Sequence, residues 1–198
     1  MFYHPFVNTD QRIVRSMAEL LRVQGYAATG IQQLARAAQA PTGSIYHHFR
    51  GGKREVAAAA LRQSGAAYIQ LLPLLLDQHA DLATAIEAAF AAAAEDIANT
   101  GWANMCPVVT TASEIADTEP ELRQVAAEVI GSWADTGTRY LAGRGLSDTD
   151  ARAAMYALLA ALEGGFLLAR AQRAVEPLLA AGRAVSTYVA TLPVTARA

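Results

Sequence analysis

Three observations predict an all-α protein, a helix-turn-helix module followed by a helical bundle, about nine helices in all. Hydrophobic residues make up 53% of the 198 positions, yet alanine dominates them and the β-branched residues that favour strands are sparse. No stretch alternates apolar and polar residues with the period of two that a half-buried strand needs. Apolar residues recur instead at i, i+3, i+4 and i+7, and Gly, Pro and hydroxyl residues punctuate the pattern where helices should start and stop.

Taken in order, residues 1–8 read as a loose leader carrying Tyr3, His4 and Phe6. A helix from Thr9 to Gln24 turns Ile13, Met17, Leu20 and Leu21 inward, and Gly25 supplies a left-handed cap. The next, Gly30 to Ala38, has its apolar stripe at Ile31, Leu34, Ala35 and Ala38. Thr29 with Gln32 forms a capping-box pattern before it. Pro41 opens a third helix that buries Ile45 and Phe49. After the turn Arg50-Gly51-Gly52, a helix runs from Arg54 to about Gln78, kinked or divided by Pro73. Asp81 to Asn99 follows, apolar at Leu82, Ile86, Phe90 and Ile97, then a break from Thr100 to Pro107. Val108 to Ile115 is a short helix, and Thr118 with Glu121 is a second capping-box pattern. The helix it announces reaches about Leu141, with Gly143 and Gly145 ending it. Ser147 starts a helix to Gln172, and Pro177 lies in the first turn of the last, ending near Leu192.

Function is concentrated in residues 29–53. The helix opened by Pro41 has an outward face of Thr42, Gly43, Ser44, Tyr46, His47 and His48, small or hydrogen-bonding, with no Asp or Glu. Such a face suits a helix that approaches a polyanion. Two short helices in tandem, the second entering the DNA major groove while the first crosses the backbone, make a helix-turn-helix. Charge agrees. Residues 1–55 hold Arg12, Arg15, Arg22, Arg36, Arg50, Lys53 and Arg54 against Asp10, Glu19 and Glu55, a balance of +4. The remaining nine basic and fifteen acidic residues give −6, so the polyanion belongs at one end only.

At these residues the chain resembles the tetracycline-repressor (TetR) family of bacterial regulators. The matching features are Gly25-Tyr26, Thr29, and Gly43-Ser44-Ile45-Tyr46-His47-His48-Phe49 followed by Lys53. The run Ala40-Pro41-Thr42-Gly43-Ser44-Ile45-Tyr46-His47-His48-Phe49 with Gly51-Gly52-Lys53 is similar to the drug- and flavonoid-responsive subgroup. One departure is the turn, where Gln39-Ala40 replaces the family's usual Gly-Val. A left-handed Gln costs on the order of 1 kcal/mol there. The resemblance implies a DNA-binding domain over 1–53 and a ligand-binding and dimerisation domain over 54–198. It also implies displacement from DNA by ligand, with the helix beginning at Lys53 as lever.

Thr29, Thr42, Tyr46, His47 and Lys53 are the expected phosphate contacts, Thr42, Gly43 and Ser44 the expected base readers, and His48 completes the DNA-binding set. The helix Ser147–Gln172 is apolar on two adjacent stripes, and the last helix repeats the pattern. Packing both against twofold mates predicts a homodimer and hence an inverted-repeat operator in double-stranded DNA. Phe90, Trp102, Met105, Val109, Trp133, Tyr140, Met155, Leu159, Glu163 and Phe166 supply the surface for a small apolar or aromatic effector, each also compatible with ordinary core. Glu163, a carboxylate in an apolar helix, lines that pocket or pairs with Arg139 or Arg170.

No Gly-x-Ser-x-Gly, metal-spaced His/Cys set or paired carboxylates is present, so no enzyme, cofactor or metal is expected. Gly52-Lys53 is no phosphate loop, because Arg54 stands where Ser or Thr is required. The single Cys106 fits a reducing cytoplasm and reads as a buried small hydrophobe rather than a thiol sensor. The apolar run Ala153–Ala169, interrupted by Glu163, falls short of the ~20 residues that cross a bilayer. Repressor is the leading expectation. An activator of the same fold, and an all-α carrier with a vestigial helix-turn-helix, remain open.

Overall fold

Ten helical segments follow one another in the computed structural model, which describes residues 8–103, 105–115 and 117–194. They are α1 (Thr9–Gln24), α2 (Ile31–Ala37), α3 (Thr42–His48), α4 (Gly52–Ile69), α5 (Leu71–Leu76), α6 (Leu82–Asn99), α7 (Pro107–Ile115), α8 (Pro120–Gly143), α9 (Asp148–Gln172) and α10 (Glu176–Ala190). There is no strand among the described residues. Counting α4 and α5 as one divided helix gives the expected nine. The division falls at Gln70, three residues ahead of the proline held responsible for it. The reason is that the Pro73 ring excludes the carbonyl four residues back, which is that of Ile69. Tyr3, His4 and Phe6 lie outside the described residues.

Two capping expectations need correction. The N-cap of α2 is Gly30, with no side-chain cap bond, and the Thr29 hydroxyl donates backward to the Gly25 carbonyl at 2.7 Å. The Thr118 hydroxyl likewise turns back, to the Ile115 carbonyl at 3.4 Å, and α8 starts at Pro120. In both places the hydroxyl donates to a carbonyl at the end of the preceding helix, and that bond sets its orientation. At two other helix starts the caps form as their residue types suggest. Asp81 accepts from the Thr84 N–H at 2.7 Å, and Ser147 from the Asp150 N–H at 3.1 Å.

The chain divides into two compact units, one of residues 1–65 with 106–129, the other of 66–105 with 130–198. Two of the three crossings fall inside helices, α4 and α8, and the third lies between α6 and α7. In the first unit α1 packs on α2, α3 and α7, and Ile13, Met17, Leu21, Leu34 and Ile45 are fully buried. In the second, α10 packs on α6 and α9 around Phe90, Ile86, Ile97, Leu158, Leu178 and Val185. Gly182 lets α10 close on Phe90: a methyl there would stand 2.6 Å from the Phe90 Cβ.

Candidate DNA interface

The reading head is built on the α1–α2 corner. Gly25 adopts φ +82, a region that glycine alone enters cheaply, and its N–H bonds to Leu21 at the end of α1. Gln24 and Gln33 exchange amide hydrogen bonds at 2.8 and 2.9 Å, fixing α1 to α2. Gln39 takes the left-handed conformation, φ +49, that the turn requires. From there α3 inserts Ile45 into the core, 0% exposed, and this one anchor turns the opposite face outward.

That face carries the expected residues. Thr42, Gly43, Tyr46, His47 and His48 are exposed and Ser44 is half-buried. The His47 and His48 rings meet edge to face at 5.1 Å. Gly43 has no neighbour within 4 Å of where a Cβ would stand, so nothing inside the chain calls for glycine there. A helix glycine costs about 1 kcal/mol relative to alanine. Close approach by something outside the chain is a sufficient reason for it. Gly52, at φ +61, packs against Tyr46, whose Cε1 would lie 3.1 Å from an added Cβ. Thr29 is the exception. It is 1% exposed with its hydroxyl bonded to Gly25, so it holds the corner and does not reach a phosphate.

Lys53, the second residue of α4, does not extend freely. Its Nζ stands 4.0 Å from the centre of the Tyr26 ring, and burial lowers its pKa against the opposing pull of Glu119 and Glu114. Tyr26 donates its hydroxyl to Glu119 at 3.3 Å. Burial, then the Glu119 charge and that hydrogen bond, push its pKa up to about 12 from 10.0. A folded-state pKa above the unfolded one means a stabilisation complete below pH 10 and lost as pH rises through 12. The thermal stability of wild type relative to Tyr26→Phe should therefore be constant from pH 7 to about 9.5 and fall between 10 and 12. A difference flat across that range would contradict this environment for Tyr26. The spacing of Gly25-Tyr26 to Lys53 gave no sign of this cradle, because Glu114 and Glu119 come from α7 and the turn after it.

The residues expected to line an effector pocket separate into groups. Phe90 and Met155 are buried in the core of the second unit, with Trp102, Tyr140, Leu159 and Phe166 packed against it. Glu163 is half-buried on the same helix as Leu159 and Phe166. Trp133 is 4% exposed and stacks on Tyr68 at 6.5 Å, and Met105 is half-buried at the edge of that unit. Val109, half-buried, belongs to the first unit. In the first unit, a groove of about 460 Å³ is lined by Arg54, Arg62, Glu121, Glu128 and their neighbours, a charged surface unlike the expected pocket. Cys106 is buried.

The apolar residues of α10 divide between two surroundings. Leu178, Val185 and Val189 are spent on the chain's own core, and Tyr188 is the large hydrophobic residue that the helix leaves exposed. On α9, Tyr156, Leu167 and Leu168 are exposed at 45%, 60% and 51%. Its 25 residues are long and apolar enough to cross a bilayer by length and composition, which the shorter run counted from sequence did not suggest. Ala151, Ala154, Met155, Leu158, Gly165 and Ala169 are nonetheless buried within the second unit.

A tandem of short helices with an acid-free outer face, carried on an all-helical body, defines a helix-turn-helix transcriptional regulator. Residues 13–60 match the description "Bacterial regulatory proteins, tetR family" and residues 83–184 "Transcriptional regulator LmrA/YxaF-like, C-terminal domain". The chain belongs to the TetR family of transcriptional regulators. It is 31% identical over 172 residues to the HTH-type transcriptional regulator YxaF of Bacillus subtilis, covering 87% of this chain and 90% of that one. To LmrA of the same organism it is 29% identical, over 87% and 92%. Among solved structures, a TetR transcriptional regulator from Chloroflexus aurantiacus superposes with a TM-score of 0.73 at 28% identity, over 95% and 97%. The regulatory protein TetR from Rhodobacter sphaeroides gives 0.78 at 24%, over 91% and 98%, a likeness of fold.

Proposed function

We propose that the protein is a cytoplasmic repressor that binds an inverted-repeat operator as a homodimer and is released by a small apolar or aromatic molecule. The observation that carries this reading is the outward face of α3, exposed, free of acids and carrying a glycine with open space where its Cβ would stand. Thr42, Gly43 and Ser44 read bases. Tyr46, His47, His48 and Lys53 meet the backbone. Lys53 already stands over Tyr26, so little side-chain freedom remains to be lost on binding. The functional division falls at 53/54, the first part reading DNA and the rest carrying dimerisation and effector binding.

Dimerisation is read from α9 and α10. Tyr156, Leu167, Leu168 and Tyr188 leave an apolar surface, and Gly164 has open space where its Cβ would be. The effector is assigned to the half-buried side of the second-unit core, among Trp102, Tyr140, Leu159, Glu163 and Phe166, where apolar surface is joined by few polar groups. α4 and α8 each run from one compact unit into the other, which makes them the natural levers for release. A coupling of ~1–3 kcal/mol is the usual size.

Lys53→Ala tests the DNA reading. Affinity for every duplex should fall to a similar degree, and the slope of log affinity against log salt should flatten by about 1. A loss confined to the operator, with non-specific affinity intact, would refute a phosphate role.

A further inference from the structure

The Glu114 carboxylate, besides acting on Lys53, is seated against the turn between α1 and α2. Its Oε2 accepts the Ala27 backbone N–H at 2.9 Å, and its Oε1 fills the space beside Gly25 that a β-carbon would take. Glu114 lies near the end of α7, 87 residues along the chain from Ala27. The two partners belong to different family matches, Glu114 to the C-terminal one and Gly25 to Ala27 to the N-terminal one, yet to one compact unit. The turn it grips is the corner that aims α2, because Thr29 and Gln24 bond to Gly25, Ala28 and Gln33 within the same few residues. The α1–α2 corner, Gly25 to Thr29, has no side-chain cap on the helix that follows it, so this carboxylate supplies an external anchor.

We propose that Glu114 is a positioning residue for DNA recognition, its carboxylate seated against Gly25 and Ala27 so that α7 sets the orientation of the α2–α3 pair. The proposal rests on the DNA-binding reading and adds to it a residue from the body of the chain. Gly25 has a double duty under this assignment. Its positive φ turns the chain, and its missing side chain admits the carboxylate.

Charge and positioning make opposite forecasts here, which gives the test its force. Removing a carboxylate near a DNA-binding face strengthens binding to a polyanion if only charge matters. Losing the anchor weakens binding to the operator. The probes are a duplex recovered with the wild-type chain from a random-oligonucleotide pool and an unrelated duplex of equal length. Glu114→Ala and Glu114→Asp, the latter charged but one methylene too short, should each lose about tenfold in operator affinity. Their affinity for the unrelated duplex should stay within about twofold of wild type or rise slightly. Glu114→Gln, neutral but still able to accept the Ala27 N–H, should stay within about threefold of wild type on the operator. Far-UV circular dichroism at the assay temperature checks that all three are folded, and Asp against Gln decides the matter should the alanine variant unfold. Operator binding unchanged in Ala and Asp, or Gln falling as far as Ala, overturns the assignment. A wild-type chain that selects no duplex overturns the DNA-binding reading itself, and this proposal with it.

Discussion

A chain carrying Leu167→Glu and Leu168→Glu together is expected to sediment as a monomer at micromolar concentration and to bind its operator at least about a hundredfold more weakly. Specific binding exceeds non-specific binding by ~10³–10⁷ for regulators of this kind, and a single reading head keeps only about half of that free energy. Both leucines are more than half exposed within the chain, at 60% and 51%, so the substitutions leave the folded protomer intact. Burying four carboxylates across a twofold interface costs far more than the leucines contribute there. A double variant that stayed dimeric would move the interface off α9. One that became monomeric yet bound the operator as tightly as wild type would separate dimerisation from recognition.

Arg144→Ala should lower stability by ~2–3 kcal/mol, a fall in Tm of about 5–10 °C for a chain of this length. Arg144 closes the α5–α6 corner from the end of α8. Its guanidinium donates to the carbonyls of Leu76, His79 and Ala80 at 3.1, 2.9 and 3.0 Å and to the Tyr140 hydroxyl at 3.0 Å. Tyr140 donates in turn to Asp77 at 2.6 Å, and burial followed by that bond raises its pKa. Without Arg144, the Leu76 carbonyl at the end of α5 and the His79 and Ala80 carbonyls in the turn before α6 lose its guanidinium donor. Lysine cannot replace it, because one ammonium does not span a fork of this width. Exposed pairs such as Arg183 with Glu176, 2.9 Å apart, offer a control, and their loss should cost well under 1 kcal/mol. Calorimetric scans of the two variants make the comparison directly. Equal shifts would contradict the role given to Arg144.

Most of the fold was legible because helical periodicity survives without tertiary context. α1 begins and ends where its apolar spacing and Gly25 indicate, and Ser147 caps α9 as its hydroxyl suggests. Failures cluster where two helices compete for one side chain. Thr29 and Thr118 carry the capping pattern, yet each hydroxyl was claimed by the carbonyl behind it. The outward set on α3 could be read locally, since burying Ile45 in a seven-residue helix fixes the direction of its neighbours. Thr29 could not, because its burial depends on how Gly25 turns. The contacts of Tyr26, Glu114 and Arg144 escaped notice for a common reason. Their long-range partners lie 64–93 residues away along the chain, and no local pattern encodes such a meeting.

Selection from a random duplex pool by the purified chain tests the central claim most directly, that exposed residues of α3 enter a DNA groove twice, once from each protomer. The expected winner is an inverted repeat whose half-site centres lie one helical turn apart, about 34–36 Å, or a multiple of it. A pool that emerges without any preferred duplex, or with single unpaired half-sites, would contradict the claim.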